Sequence, residues 1–198
     1  QGTRKPAKMI LKLLGLFKNF KVLTISEALK QADEIPISKK RIYSYHDGCE
    51  LNINHAALNL VTFNNKTALY TGALHKGGDV DSLSPLFKCF TDWDFIFLGG
   101  NEAEVKNYTE RYASFKNVSF LGRMPYSDVV SYQLSADVLL FPLTKTNKLW
   151  KYTSPLKLFE YMNSGKPIVG SNIGSVSEIL NQSNGFVFNE KVDIVDAF

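Results

Sequence analysis

From Thr67 onward, short apolar runs alternate with stretches of helical periodicity, and this alternation most constrains the fold. Strands are predicted near 67–72, 93–98, 117–120, 137–141, 167–170 and 185–188, with helices between them. Strands joined through helices run parallel, with right-handed crossovers and helices on both faces of the sheet. The fold class is therefore α/β. Ligands bind such sheets in the crevice at the carboxyl ends of the strands. The glycine loop after Gly72, the turn after Gly122 and the loop before Pro155 all fall at those ends.

One of these connections reads as a binding element by itself. Ser154-Pro155-Leu156-Lys157-Leu158-Phe159-Glu160-Tyr161-Met162-Asn163-Ser164-Gly165-Lys166-Pro167-Ile168-Val169 is a loop, a helix, a glycine stop and a buried strand. Pro155 suits the first helical turn, where a missing N–H costs nothing, and Ser154 or Thr153 is expected to cap the exposed amides. Gly165 is expected to end the helix in the left-handed conformation. The unsatisfied N–H groups and the positive dipole end near Leu156 make a seat for phosphate. Glu160 lies a little over one turn further on, placed to accept hydrogen bonds from a sugar hydroxyl pair. Together these features outline a nucleotide-diphosphate site.

Composition narrows the alternatives. The chain has 198 residues, with apolar and charged fractions ordinary for a globular protein. Cys49 and Cys89 show neither metal spacing nor a disulfide framework, so a reducing, cytoplasmic setting is expected. No apolar run approaches bilayer length. His46 and His55 have no partner at metal-ligand spacing and read as structural. The first 21 residues carry Arg4, Lys5, Lys8, Lys12, Lys18 and Lys21 with no acidic residue. Met9, Ile10, Leu13, Leu14, Phe17 and Phe20 interleave with them at helical spacing. The expected role of this helix, residues 4–21, is to pack on a neighbouring sheet with its lysines in water. A peripheral contact with the inner face of the cell membrane is the alternative. Nucleic acid ranks last as a partner, since base-reading side chains do not accompany the charge.

Before Thr67, Lys21–Ile25 reads as a short strand, Ser26 as the cap of a helix through Gln31, and Arg41–Tyr45 as a second strand. Residues 51–66 are polar and asparagine-rich, and fit an interdomain linker.

Five blocks resemble the C-terminal, donor-binding domain of group 1 glycosyltransferases. The first is Ala68-Leu69-Tyr70-Thr71-Gly72 with Lys76-Gly77-Gly78, and the second is Phe95-Ile96-Phe97-Leu98-Gly99-Gly100. The third and fourth are Val118-Ser119-Phe120-Leu121-Gly122-Arg123-Met124-Pro125 and Ala136-Asp137-Val138-Leu139-Leu140-Phe141-Pro142. The stretch from Ser154 to Val169 is the fifth. Val22–Leu29 and Tyr45–Gly48 resemble the unit that closes the family's N-terminal domain. The resemblance implies a GT-B fold of two Rossmann-like domains, retaining sugar transfer and no metal requirement.

The implied organisation is the end of the N-terminal domain over 1–50, a linker over 51–66, and the donor-binding domain over 67–198. Such an enzyme needs roughly twice this length. The chain is therefore expected to be a donor-binding portion, truncated at its C-terminus, which binds donor without catalysing. The acceptor, a glycan or lipid-linked sugar, would belong to the missing half.

The resemblance also assigns residues. Glu160 would hold the ribose hydroxyls of a UDP- or GDP-sugar. Thr153, Ser154, Pro155, Leu156 and Lys157 would meet the diphosphate, largely through main-chain amides. Gly72, His75, Lys76 and Gly77 form the glycine loop, while Gly122, Arg123 and Met124 would read the base edge through the backbone. Two departures stand out. Tyr152 occupies the position of the family's other glutamate, so no catalytic carboxylate is assigned and Tyr152 is left as a donor-sugar contact. Ala73 replaces a usual arginine and Gly78 or Asp79 a usual lysine, leaving His75, Lys76 and Lys151 as substitutes. These departures keep two alternatives open: a non-catalytic binding module, or a nucleotide-sugar epimerase of the same fold.

Overall fold

The computed structural model describes residues 4–33, 35–50, 58–74, 80–146, 149–189 and 193–198. It contains two sheets. Strands β1 (Val22–Thr24) and β2 (Ile42–Ser44) pair in parallel around helix α2 (Glu27–Gln31). The larger sheet holds β3 (Lys66–Thr71), β4 (Trp93–Leu98), β5 (Val118–Gly122), β6 (Val138–Phe141), β7 (Ile168–Ser171) and β8 (Phe186–Phe188). All six run parallel, in the order β5-β4-β3-β6-β7-β8. This is the doubly wound order, whose direction reverses between β3 and β6. Every predicted strand is present within two residues of its expected bounds.

The central strands are buried on both sides, which is why they read as nearly continuous apolar runs. On one face Ala68, Tyr70, Phe95, Phe97 and Phe120 pack against α3 (Ser84–Cys89), α4 (Glu102–Arg111) and α7 (Ile194–Ala197). Phe87 centres this core, with its ring 5.1 Å from Phe95 and 5.5 Å from Tyr112. On the other face Leu69, Leu139 and Ile168 meet α5 (Tyr126–Ser135) and α6 (Leu156–Ser164). Helix α6 ends as expected, with Gly165 at φ 69°.

Two expectations need correction. Helix α1 spans Arg4–Leu14 and stops short of 21. After it, the Arg41 guanidinium donates to the carbonyls of Gly15, Phe17 and Phe20, fixing this stretch as turns. Nor does α1 bury its apolar row. Met9, Ile10 and Leu13 are more than half exposed, as is Phe17 in the turns that follow, and of the α1 side chains described only Leu11 is partly buried.

The sheet closes tightly at the carboxyl ends. Gly72 N–H donates to Leu98 O at 2.7 Å, and Gly99 N–H to Gly122 O at 2.6 Å. A Cβ on Gly99, at φ 127°, would lie 1.9 Å from the Gly72 carbonyl oxygen. Gly99→Ala should therefore cost about 2–3 kcal/mol in urea unfolding. A loss below about 0.5 kcal/mol would mean that these strand ends do not pack backbone to backbone.

Candidate functional site

The glycines that end β3, β4 and β5 floor a cavity of about 380 Å³ beside the strand-order reversal. Thr71, Gly72, Gly99, Gly100 and Gly122 line it, with Arg123 and Met124 along one rim and Lys157 and Glu160 of α6 facing them. Both side chains come from one helix because residues three apart share a face.

Lys157 is built into this floor. Its Nζ lies 4.3 Å from the centre of the Tyr70 ring, whose hydroxyl donates to Ala73 O at 3.1 Å. A Cβ on Gly72 would stand 1.8 Å from that ammonium, so only glycine leaves the lysine its seat. The first turn of α6 thus brings a cation to one edge of the cavity. Its N-cap is Pro155, and no side chain caps it.

Neither expected cap serves α6: Ser154 Oγ accepts from Asp47 N–H at 2.9 Å, and at Thr153 the main-chain carbonyl accepts from Ser175 Oγ. Tyr152 O accepts from Ser26 Oγ at 3.2 Å. The loop leading into α6 is held from two sides, through two carbonyls and the Ser154 hydroxyl, by the β1–α2–β2 unit and by the turn Gly174–Glu178. Glu178 ties those two sides to each other. Its carboxylate accepts from Glu27 N–H at 2.8 Å and Ala28 N–H at 2.9 Å, and its Oε2 lies 3.1 Å from His46 Nε2.

Behind the cavity is a buried polar cluster. Tyr161, fully buried, accepts from Thr71 N–H at 2.8 Å, and its hydroxyl lies 3.2 Å from Thr71 Oγ1. Gln133 Nε2 donates to Thr71 Oγ1 at 3.3 Å. Burial pushes the Glu160 carboxyl above the ordinary carboxylate value, against the opposing pull of Lys157 and of the polar Gln133 amide.

Of the residues expected at a site, the cavity brings together Gly72, Arg123, Met124, Lys157 and Glu160. Tyr152, Thr153, Ser154 and Pro155 lie on the approach to α6 and Leu156 opens it, and none of the five lines the cavity. His55, His75, Lys76 and Gly77 lie outside the described residues. Thr71, Gln133, Tyr161 and Glu178 were missed. Their hydrogen-bond partners lie 62 to 151 residues away, so no local spacing marks them. Among the described residues, no three His, Cys, Asp or Glu side chains group as metal ligands do.

Similar proteins fit this arrangement. The sequence pattern of the family described as Glycosyl transferases group 1 matches residues 65–198. A Bacillus subtilis (strain 168) protein, TuaH, whose name places it in teichuronic acid biosynthesis as a glycosyltransferase, is 30% identical over 88 residues. That match covers 44% of this chain and 22% of TuaH. Anabaena HepE (Alr3699), solved in complex with UDP-glucose, superposes with a TM-score of 0.70 at 17% identity. The overlap covers 98% of this chain and 56% of HepE. Sucrose-phosphate synthase from Thermosynechococcus elongatus superposes with a TM-score of 0.67 at 13% identity, over 97% of this chain and 51% of its own. The chain thus spans about half the length of these solved proteins, and the likeness to them is one of fold.

A raised carboxyl pKa means that the folded chain binds the Glu160 proton more tightly than the unfolded chain does. Ionising Glu160 as pH rises therefore costs stability. The thermal stability of Glu160→Gln relative to the parent should increase between about pH 4 and about pH 7. A constant or falling difference across that window would contradict the burial assigned to Glu160.

Proposed function

This chain belongs to the group 1 glycosyl transferases, and we propose that it is the donor-binding portion of an enzyme that transfers a sugar from a nucleoside-diphosphate sugar to an acceptor. The observation that carries the reading is the pairing of Lys157 and Glu160 across the glycine floor. In this reading the donor diphosphate meets the first-turn amides of α6 and the Lys157 ammonium, whose positive charges complement it. Glu160, ionised, accepts from the two ribose hydroxyls. The main chain of Gly122, Arg123 and Met124 faces the base edge, so backbone groups select the base.

HepE is solved with UDP-glucose, which supports a uridine donor; a guanosine donor is the alternative. The name of TuaH supports an acceptor from cell-surface polysaccharide synthesis, either a glycan or a lipid-linked sugar. Tyr152 leaves the position of the family's second glutamate without a carboxylate, so any charge stabilisation at the transferred sugar has to come from other groups.

Calorimetric titration of the chain with UDP, GDP and ADP tests the donor site. One of the three should bind selectively, and Glu160→Ala should weaken it by about tenfold or more, the loss of hydrogen bonds to a charged group. Equal binding by parent and variant would overturn the role given to Glu160.

We place the chain at the inner membrane face, with α1 and the turns after it as the contact. Met9, Ile10 and Leu13 of α1 and Phe17 beyond it are exposed beside Lys8, Lys12 and Lys18, a pattern that suits an anionic lipid surface. Among the described residues no helix is long and apolar enough to cross a membrane. The chain should sediment with phosphatidylglycerol vesicles and not with phosphatidylcholine vesicles, and lose that binding in Leu13→Asp/Phe17→Asp. Equal sedimentation of parent and variant would remove α1 from the contact.

A further inference from the structure

Tyr70 is the one aromatic ring of β3, buried at 4% exposure and set just before Thr71 and Gly72 of the cavity floor. Its ring packs in the core beside Phe97, with centroids 5.8 Å apart. Its hydroxyl donates to Ala73 O at 3.1 Å. The ring is therefore fixed at both ends, by the core at its body and by the backbone past Gly72 at its tip. The Lys157 Nζ lies 4.3 Å from the centre of this ring. Lys157 lines the cavity and Tyr70 does not. A rigid ring on the central strand thus carries the cation that α6 delivers.

A lysine does not fix its own charge, because its ammonium ends a flexible four-carbon stem. Ordering such a side chain on binding subtracts from affinity unless it is ordered beforehand. An aromatic face holds an ammonium within about 6 Å of its centroid through the ring quadrupole. It does so without cancelling the charge and without using an acceptor lone pair, so the ammonium N–H groups stay available for ligand oxygens. A carboxylate in the same place would neutralise the charge that a phosphate requires. Gly72 completes the seat. A Cβ there would lie 1.8 Å from Lys157 Nζ, 2.8 Å from its Cε and 3.1 Å from the Tyr70 hydroxyl oxygen. Only glycine at this position lets the ammonium settle on the ring.

We propose that Tyr70 is a positioning residue for the donor diphosphate: its ring face holds the Lys157 ammonium over the glycine floor, charged and aimed into the cavity. This rests on the reading of Lys157 as a diphosphate contact. Tyr70 acts through Lys157.

The test compares dissociation constants for UDP and uridine (or the matching guanosine pair), because their ratio isolates what the diphosphate contributes. It uses the parent chain, Lys157→Met, Tyr70→Phe and Tyr70→Leu. Lys157→Met should lower the preference for UDP by about tenfold or more, the value of hydrogen bonds to a charged group. Tyr70→Leu should lower the same preference by about fivefold, the value of a partly desolvated cation–π contact, with uridine binding unchanged. Tyr70→Phe keeps the ring and should keep the parental preference. In the Lys157→Met background, Tyr70→Leu should change the ratio no further. A merely structural role would weaken UDP and uridine together, in both backgrounds, and leave their ratio intact. Where Lys157→Met loses the preference, its retention in Tyr70→Leu, or its loss in Tyr70→Phe, overturns the positioning role alone. Retention in Lys157→Met, or no nucleotide binding by the folded parent, overturns the reading of Lys157 as well. Should Tyr70→Leu fail to fold, pentafluorophenylalanine in place of Tyr70 keeps the ring and reverses the charge of its face. It carries the same expectation and the same contradiction.

Discussion

Two backbones that touch, at Gly72 and Gly99, set the geometry on which the rest of the site depends. Where β3 and β4 leave the sheet, no side chain separates them, and an added Cβ would fall 1.9 Å from a carbonyl oxygen. This contact gives the cavity a floor made of main chain. It also leaves the space above Gly72 open for the Lys157 ammonium. A floor of side chains would fill the crevice that the reversal of strand order creates. The glycines are thus a steric requirement of the site, and the site is a consequence of the sheet's topology.

The wall facing that floor is held from behind and from outside. Behind it, Tyr161, Thr71 and Gln133 join α6 and α5 to the end of β3 through buried hydrogen bonds, each costly to leave unmade. Outside it, Ser26 and Ser175 grip the carbonyls of Tyr152 and Thr153, Asp47 N–H holds the Ser154 hydroxyl, and Glu178 clasps the first turn of α2. The β1–α2–β2 unit is therefore joined to the larger sheet through the very loop that delivers α6 to the cavity. A change in how that unit sits would be felt first at the Lys157 end of α6.

Much of this was legible in the sequence where the signal was local. The six strands were visible because buried parallel strands are apolar on both faces, and α6 because Pro155 and Gly165 bracket it. Glu160 stood out by its place just over one turn into that helix, and Lys157 only through the family resemblance. What depended on partners distant in sequence was not legible. Ser154 looks like a helix cap, yet its hydroxyl is taken by Asp47, 107 residues away in sequence. Gln133 looks like any polar residue on an amphipathic helix, because its partner Thr71, 62 residues away, is joined to it only by the fold. Helix α1 shows the converse. Its periodicity correctly announced a helix and an apolar face, but periodicity does not say what covers that face, and on this chain it stays exposed.

The central claim is that a nucleotide diphosphate lies between the glycine floor and the first turns of α6. The most direct measurement is amide chemical-shift mapping of the isotopically labelled chain on titration with UDP and GDP. The account predicts that one nucleotide produces its largest shifts at Gly72, Gly99, Gly122–Met124 and Leu156–Glu160. Largest shifts at the opposite end of the sheet, around Lys166 and Gln182–Val187, would contradict it, as would none at all from a folded chain.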